Sequence, residues 1–153
     1  RVHTLDQRQE YAAVARVSDD GKSISFNPQQ DFIDMPGGSK KFTIKYDQKS
    51  GKYWSLVNYV PAQYQGIMQL DRIRNTLALC SSSNLKDWTV NHIVLRNDDY
   101  KHHGFQYINW LIDGHDIIAL SRTAFNDGLS GAADYHNSNY MTFHRIKKFR
   151  KLK

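Results

Sequence analysis

The residues of this chain best suited to chemistry are an arginine, a tyrosine and several histidines gathered around two loops. His102-His103-Gly104 closes one loop before Phe105, Arg122 ends an apolar run, and the long segment after it carries His136, Asn139 and Tyr140. A guanidinium can hold a carboxylate through two parallel hydrogen bonds. An imidazole or a phenol of shifted pKa can take one proton and return another. Arg122, His136 and Tyr140 are therefore the candidate catalytic residues, with His103, Arg74, Asn75, Gln106, Asp127 and Asn139 as candidate substrate-binding residues. Each has a structural alternative. Loop histidines are often merely solvated, an arginine in an apolar strand demands a partner that Asp127 could supply, Tyr140 could be a packed aromatic, and loop aspartates commonly form turns.

Other chemistries find less support. His102, His103, His136 and Cys80 are too scattered for a zinc spacing, and Asp98, Asp99 and the Asp127 loop lack the calcium-loop pattern. No metal and no cofactor are expected. Cys80 is the sole cysteine, so no intrachain disulfide forms. The net charge is +6, yet six of the 21 basic residues lie in the last nine positions, and residues 1–144 hold 15 basic and 15 acidic groups. The basic character is that of a tail. Nucleic-acid binding, which wants a clustered basic face, is therefore not expected. No apolar run approaches the roughly 20 residues of a membrane helix, and the polar opening Arg1–Glu10 has no hydrophobic leader.

The elements that must position these residues are strands. Fourteen of the 15 acids are Asp, which favours turns, and Glu10 is the only Glu; nine Tyr, seven Phe and three Trp add strand-forming aromatics. Tyr11–Val17 reads as a strand turning through Asp19–Lys22 into Ser23–Phe26, and Asp31–Ser39 as a loop around Pro36-Gly37-Gly38. Phe42–Tyr46 and Tyr53–Val60 form a hairpin, followed by strands at Leu77–Ser81 and Trp88–Leu95 and a loop at Ala62–Arg72. Phe105–Ile112 and Ile117–Thr123 make a second hairpin around Asp113–Asp116, and Met141–Ile146 closes the pattern. The fold class is all-β, with four-stranded antiparallel meanders at the spacing of propeller blades; a β-sandwich has similar spacing. The 153 residues read as one domain, with 1–30 ending a preceding blade, 31–96 forming one blade and 97–153 the last blade and basic tail.

Ser82-Ser83-Asn84-Leu85-Lys86-Asp87-Trp88 looks like the S-x-D-L-x-x-W turn of many glycan-active propellers, with Asn84 in place of Asp. With DFIDMPGGSKKFTIKYD, KYWSLVNYVP, HGFQYINW, DIIALSRTAFNDGL and NYMTFHRIKKFR, it makes residues 31–150 resemble the C-terminal part of bacterial sialidase-like β-propeller proteins, described as putative glycosidases. The resemblance implies consecutive blades of an incomplete ring, a glycan or oligosaccharide as ligand, and a secreted or periplasmic setting. The activity it implies is glycan hydrolysis or uronate elimination, with a noncatalytic glycan-binding or structural fragment as the alternative. In elimination, Arg122 would neutralise the carboxylate while His136 and Tyr140 moved protons. No Tyr-Glu pair or arginine triad of true sialidases is evident. A chain too short to close a ring implies missing blades or self-association.

Overall fold

The computed structural model describes residues 8–153, so Arg1–Gln7 of the polar opening lie outside the described residues. Eleven strands run in order: β1 (Tyr11–Ala13), β2 (Arg16–Val17), β3 (Ile24–Ser25), β4 (Phe32–Asp34), β5 (Ile44–Asp47), β6 (Lys52–Asn58), β7 (Thr76–Ser82), β8 (Thr89–Arg96), β9 (Gly104–Asp113), β10 (Asp116–Ala124) and β11 (Tyr140–Ile146). Turn chemistry joins them. Between β5 and β6, the Asp47 carboxylate accepts hydrogen bonds from the Ser50 backbone N–H at 3.0 Å and its hydroxyl at 2.6 Å. Between β7 and β8, the Ser82 hydroxyl accepts from the amide of Leu85 at 2.9 Å, and Asn84 Oδ1 from those of Lys86 and Asp87, both at 2.9 Å. The polar turn read before Trp88 thus forms, whatever fold surrounds it.

Strands β5-β6-β7-β8 make one antiparallel sheet and β11-β10-β9 another, while β1-β4 and β2-β3 are separate two-stranded ribbons. The two larger sheets meet through a core of Trp54, Leu56, Leu77 and Leu79 from one and Phe105, Trp110, Ile117, Ala119 and Ile146 from the other. Alternation sends Val57, Ala78 and Cys80 to the far side of β6 and β7, where Ala12 and Met35 cover them. Every residue of β7 is consequently buried. The molecule is layered: an N-terminal ribbon, the four-stranded sheet, then the three-stranded sheet.

This overturns the expected propeller. The strands form four separate antiparallel sheets, each open at its edges, and none closes or curls into a ring. Even spacing of hairpins reports which strands are neighbours along the chain; it carries no information on how successive sheets are set against one another. Two local readings also change. Tyr11–Val17 is split between β1 and β2, which pair with different partners, and part of the Asp31–Ser39 loop is β4. Among the described residues there are also three 3-10 turns, at Ala62–Tyr64 and Leu70–Arg72 within the expected loop and at Phe149–Lys151.

Candidate functional site

The β9–β10 ladder contains an irregularity that organises the site. Asn109 pairs with Leu120 and Gln106 with Arg122, so two residues of β9, Tyr107 and Ile108, stand opposite Ser121 alone. This is a β-bulge, and Tyr107 within it has φ +48°, a left-handed conformation costly for any residue with a Cβ. The bulge carries the Tyr107 ring into a group of cations. Lys41 Nζ lies 4.6 Å from the ring centroid, the Arg122 guanidinium carbon 5.1 Å and that of Arg74 5.9 Å. The phenol lies 3.3 Å from His136 Nε2. A cleft of about 510 Å³ opens between Lys40–Thr43 and the bulge residues Tyr107 and Ile108.

Each cation is placed by ordinary folding chemistry. Arg74, only 8 % exposed, precedes β7; it donates from Nε to the Asp71 carbonyl at 3.0 Å and from Nη1 to Gln106 Oε1 at 3.0 Å. Gln106 turns its amide the other way, donating to the carbonyls of Tyr135 at 2.6 Å and His136 at 3.1 Å. That glutamine therefore ties the arginine to the loop holding His136. The loop is shaped by Asp134, whose Oδ1 accepts from the amides of His136 at 2.6 Å and Asn137 at 2.9 Å. Lys41 follows a buried ion pair: Lys40 meets Glu10, which also accepts from the Ser39 hydroxyl and from the Gly37 amide at 2.8 Å. Burial pushes the Lys40 ammonium below its ordinary pKa, Glu10 opposes that shift, and Arg74 adds repulsion. Among the described residues Lys41, Arg74 and Arg122 form no ion pair. Asp71 acts electrostatically on both Lys40 and Tyr135, and Asp134 on Tyr135, whose phenol burial pushes above its usual pKa.

Four sequence candidates thus come together: Arg122, His136, Arg74 and Gln106. The others do not join them. Tyr140 pairs in register with Thr123, whereas Arg122 pairs with Met141, so alternation puts Tyr140 on the opposite face of the sheet. Its hydroxyl donates to Asp127 Oδ2 at 2.8 Å, and Asp127 Oδ1 accepts from the amides of Leu129 at 3.0 Å and Gly131 at 2.9 Å. Asp127 shapes its loop and pairs with Tyr140, not with Arg122. Asn139 closes the same loop, accepting from the Phe125 amide at 3.0 Å and donating to its carbonyl at 2.9 Å. Asn75 is buried and bonds the Asn97 carbonyl at the end of β8. His103 is packed edge-on between Phe105 and Phe125, and neither ring nitrogen has a hydrogen-bond partner.

Tyr107 and Lys41 escaped the sequence reading. Tyr107 looked like any aromatic within a strand, and only the register reveals its bulge. Lys40-Lys41 after Gly37-Gly38-Ser39 was the one available signal. Among the described residues no group of three or more His, Cys, Asp or Glu side chains is placed to hold a metal ion.

No protein-family model, no curated protein and no solved structure matches this chain. The sialidase-like resemblance is thus without support, and the open sheets contradict it. Glycan hydrolysis, uronate elimination and the glycan-binding propeller fragment, all inferred from that likeness, fall with it.

Proposed function

We propose that the cleft at the bulge binds a small ligand through an oxyanion, a carboxylate, sulfate or phosphate group. The observation that carries this reading is the convergence of Lys41, Arg74 and Arg122 on the Tyr107 ring. Like charges held together repel, and an anion between them offsets that repulsion while accepting charge-assisted hydrogen bonds. The strained Tyr107 backbone fits a preorganised site, where a local cost is retained because it sets a geometry. His136, hydrogen-bonded to the phenol, adds a donor when protonated. The reading is one of binding and not of turnover, since the acid–base candidates are divided between two faces of the sheet.

Titration calorimetry at low ionic strength, with sulfate, inorganic phosphate and acetate as probes, tests this. Saturable binding is expected for at least one of them. Arg122→Gln and Lys41→Gln should each weaken it about tenfold, the worth of one charge-assisted contact. Lys52→Gln, on an exposed position of β6, should leave it unchanged. Absence of saturable binding, or equal losses in all three variants, would sink the proposal.

A further inference from the structure

A second cleft opens where the two large sheets meet at their edges, β8 being the edge of the four-stranded sheet and β11 that of the three-stranded one. It holds about 510 Å³ and is walled by Leu95 of β8 on one side and by Phe105, Thr123, Tyr140 and Thr142 on the other, with His103 and Phe125 in the same lining. Tyr140 and Thr142 flank Met141, the register partner of Arg122, so alternation puts this cleft on the sheet face opposite Arg122.

The lining is aromatic and carries no unpaired charge. The Phe125 ring meets His103 edge-on at 5.3 Å and Tyr140 at 6.3 Å, an arrangement that accommodates a further ring. Arg96 at the rim is paired with Asp98 at 2.9 Å. Burial holds the imidazoles of His103 and His144 below their ordinary pKa, so both are neutral at neutral pH. The other polar side chains of the wall have partners. Thr142 Oγ1 lies 2.6 Å from Thr123 Oγ1 and 2.8 Å from His144 Nε2. Tyr140 donates to Asp127, and Asn97 Oδ1 accepts from the Asp99 amide at 2.8 Å. His103 is the exception: it is 6 % exposed, and neither of its ring nitrogens is hydrogen-bonded. Buried polar groups are nearly always paired, and one that is not calls for a partner from outside.

We infer that this cleft binds a small uncharged aromatic molecule bearing a hydroxyl group. The ligand's ring packs against Phe125 and Tyr140, and its hydroxyl donates to the acceptor nitrogen of the neutral His103 ring. Phe125 is the wall that gives way to admit it, since it follows β10 and is 40 % exposed, whereas Phe105 lies within β9 and is 6 % exposed. The volume falls within the roughly 300–1,000 Å³ of small-molecule sites, which pair an apolar lining with a few polar groups. This site is independent of the anion cleft at the bulge.

Nuclear magnetic resonance titration of the full chain at neutral pH, with 4-methylphenol and 1,4-dimethylbenzene as probes, provides the test. The two probes share a shape and differ by one hydroxyl. In a purely apolar cleft the more apolar dimethylbenzene would bind tighter. The expected result is saturable shifts of the Phe125, Thr142 and His144 amide signals, with 4-methylphenol bound about threefold tighter, the worth of one hydrogen bond to an otherwise unpaired nitrogen. His103→Phe keeps a ring in place and should reverse that preference; circular dichroism checks that the variant is folded. The comparison of probes on the unaltered chain decides the matter even if the variant does not fold. No saturable binding, tighter binding of dimethylbenzene to the unaltered chain, or a preference that survives in folded His103→Phe would each overturn the inference.

Discussion

A buried and a half-buried histidine make stability depend on pH in one direction. Burial holds His103 below the ordinary imidazole pKa of 6.5, with Asp99 opposing the shift, and burial also lowers His144. The folded chain therefore resists protons that the unfolded chain accepts near pH 6.5. The stabilisation is complete above that value and is lost as pH falls toward the lower folded-state pKa values. Denaturant midpoints measured between about pH 5 and 8, where unperturbed imidazoles titrate, should decline on the acid side. His103→Leu, which replaces the ring by an apolar side chain between Phe105 and Phe125, should flatten that decline, leaving the contribution of His144. An unchanged slope would show that His103 does not titrate in this way. His103 was legible as a special residue only because it sits in His102-His103-Gly104; that it lies edge-on between two phenylalanines depends on the start of β9 and the residue just past β10, which antiparallel pairing brings to one end of the sheet.

The bulged hairpin β9–β10 and the loop between β10 and β11 act together as one device. Gly104 begins β9, and a Cβ added there would lie 2.4 Å from the Tyr135 carbonyl oxygen. No real Cβ tolerates that approach to a backbone atom, so the loop must move. The same carbonyl accepts from Gln106 at 2.6 Å, while the Tyr135 amide donates to the Lys101 carbonyl at 2.7 Å. Gly104→Ala should thus cost about 1–3 kcal/mol, in the range of overpacking substitutions, and weaken sulfate binding in parallel by displacing His136. Thermal unfolding and calorimetry on the same sample check both; a stable variant that binds normally would refute the coupling. The hairpin itself was readable from alternation and from Asp113-Gly114. The bulge was not, because a one-residue excess shows only when the opposite strand is known.

Across the whole molecule, one ion pair spans 103 residues of sequence. Arg150 donates from Nε and Nη2 to the two oxygens of Asp47, both at 2.7 Å, joining the β5–β6 turn to the C-terminal 3-10 turn. Phe149 beside it packs edge-on against Trp54, ring centroids 5.1 Å apart. The guanidinium holds the Asp47 carboxyl well below its ordinary pKa, aided by Ser50. Arg150→Ala strands a largely buried carboxylate and should destabilise the protein by about 2–3 kcal/mol, seen as a lower midpoint in urea without loss of the strand signal in circular dichroism. A change within experimental error would mean that Ser50 alone satisfies Asp47. The basic tail, read from the sequence as a solvated end, is thus partly structural: Arg150 locks the two large sheets together, and Arg145 bridges Asp113 and Asp116.

Alternation of apolar and polar residues, and turns built from Asp, Asn, Ser and Gly, determined the all-β class and the two main hairpins, because those preferences are satisfied within a few residues of each other. The stacking of the sheets belongs to the tertiary structure. Both faces of β7 are covered by segments distant in sequence, and no local pattern says which segment covers which face. The polar group around Tyr107 is likewise a tertiary product: Lys41, Arg74, Arg122 and His136 come from four separate stretches, and a bulge of one residue decides which ring they approach.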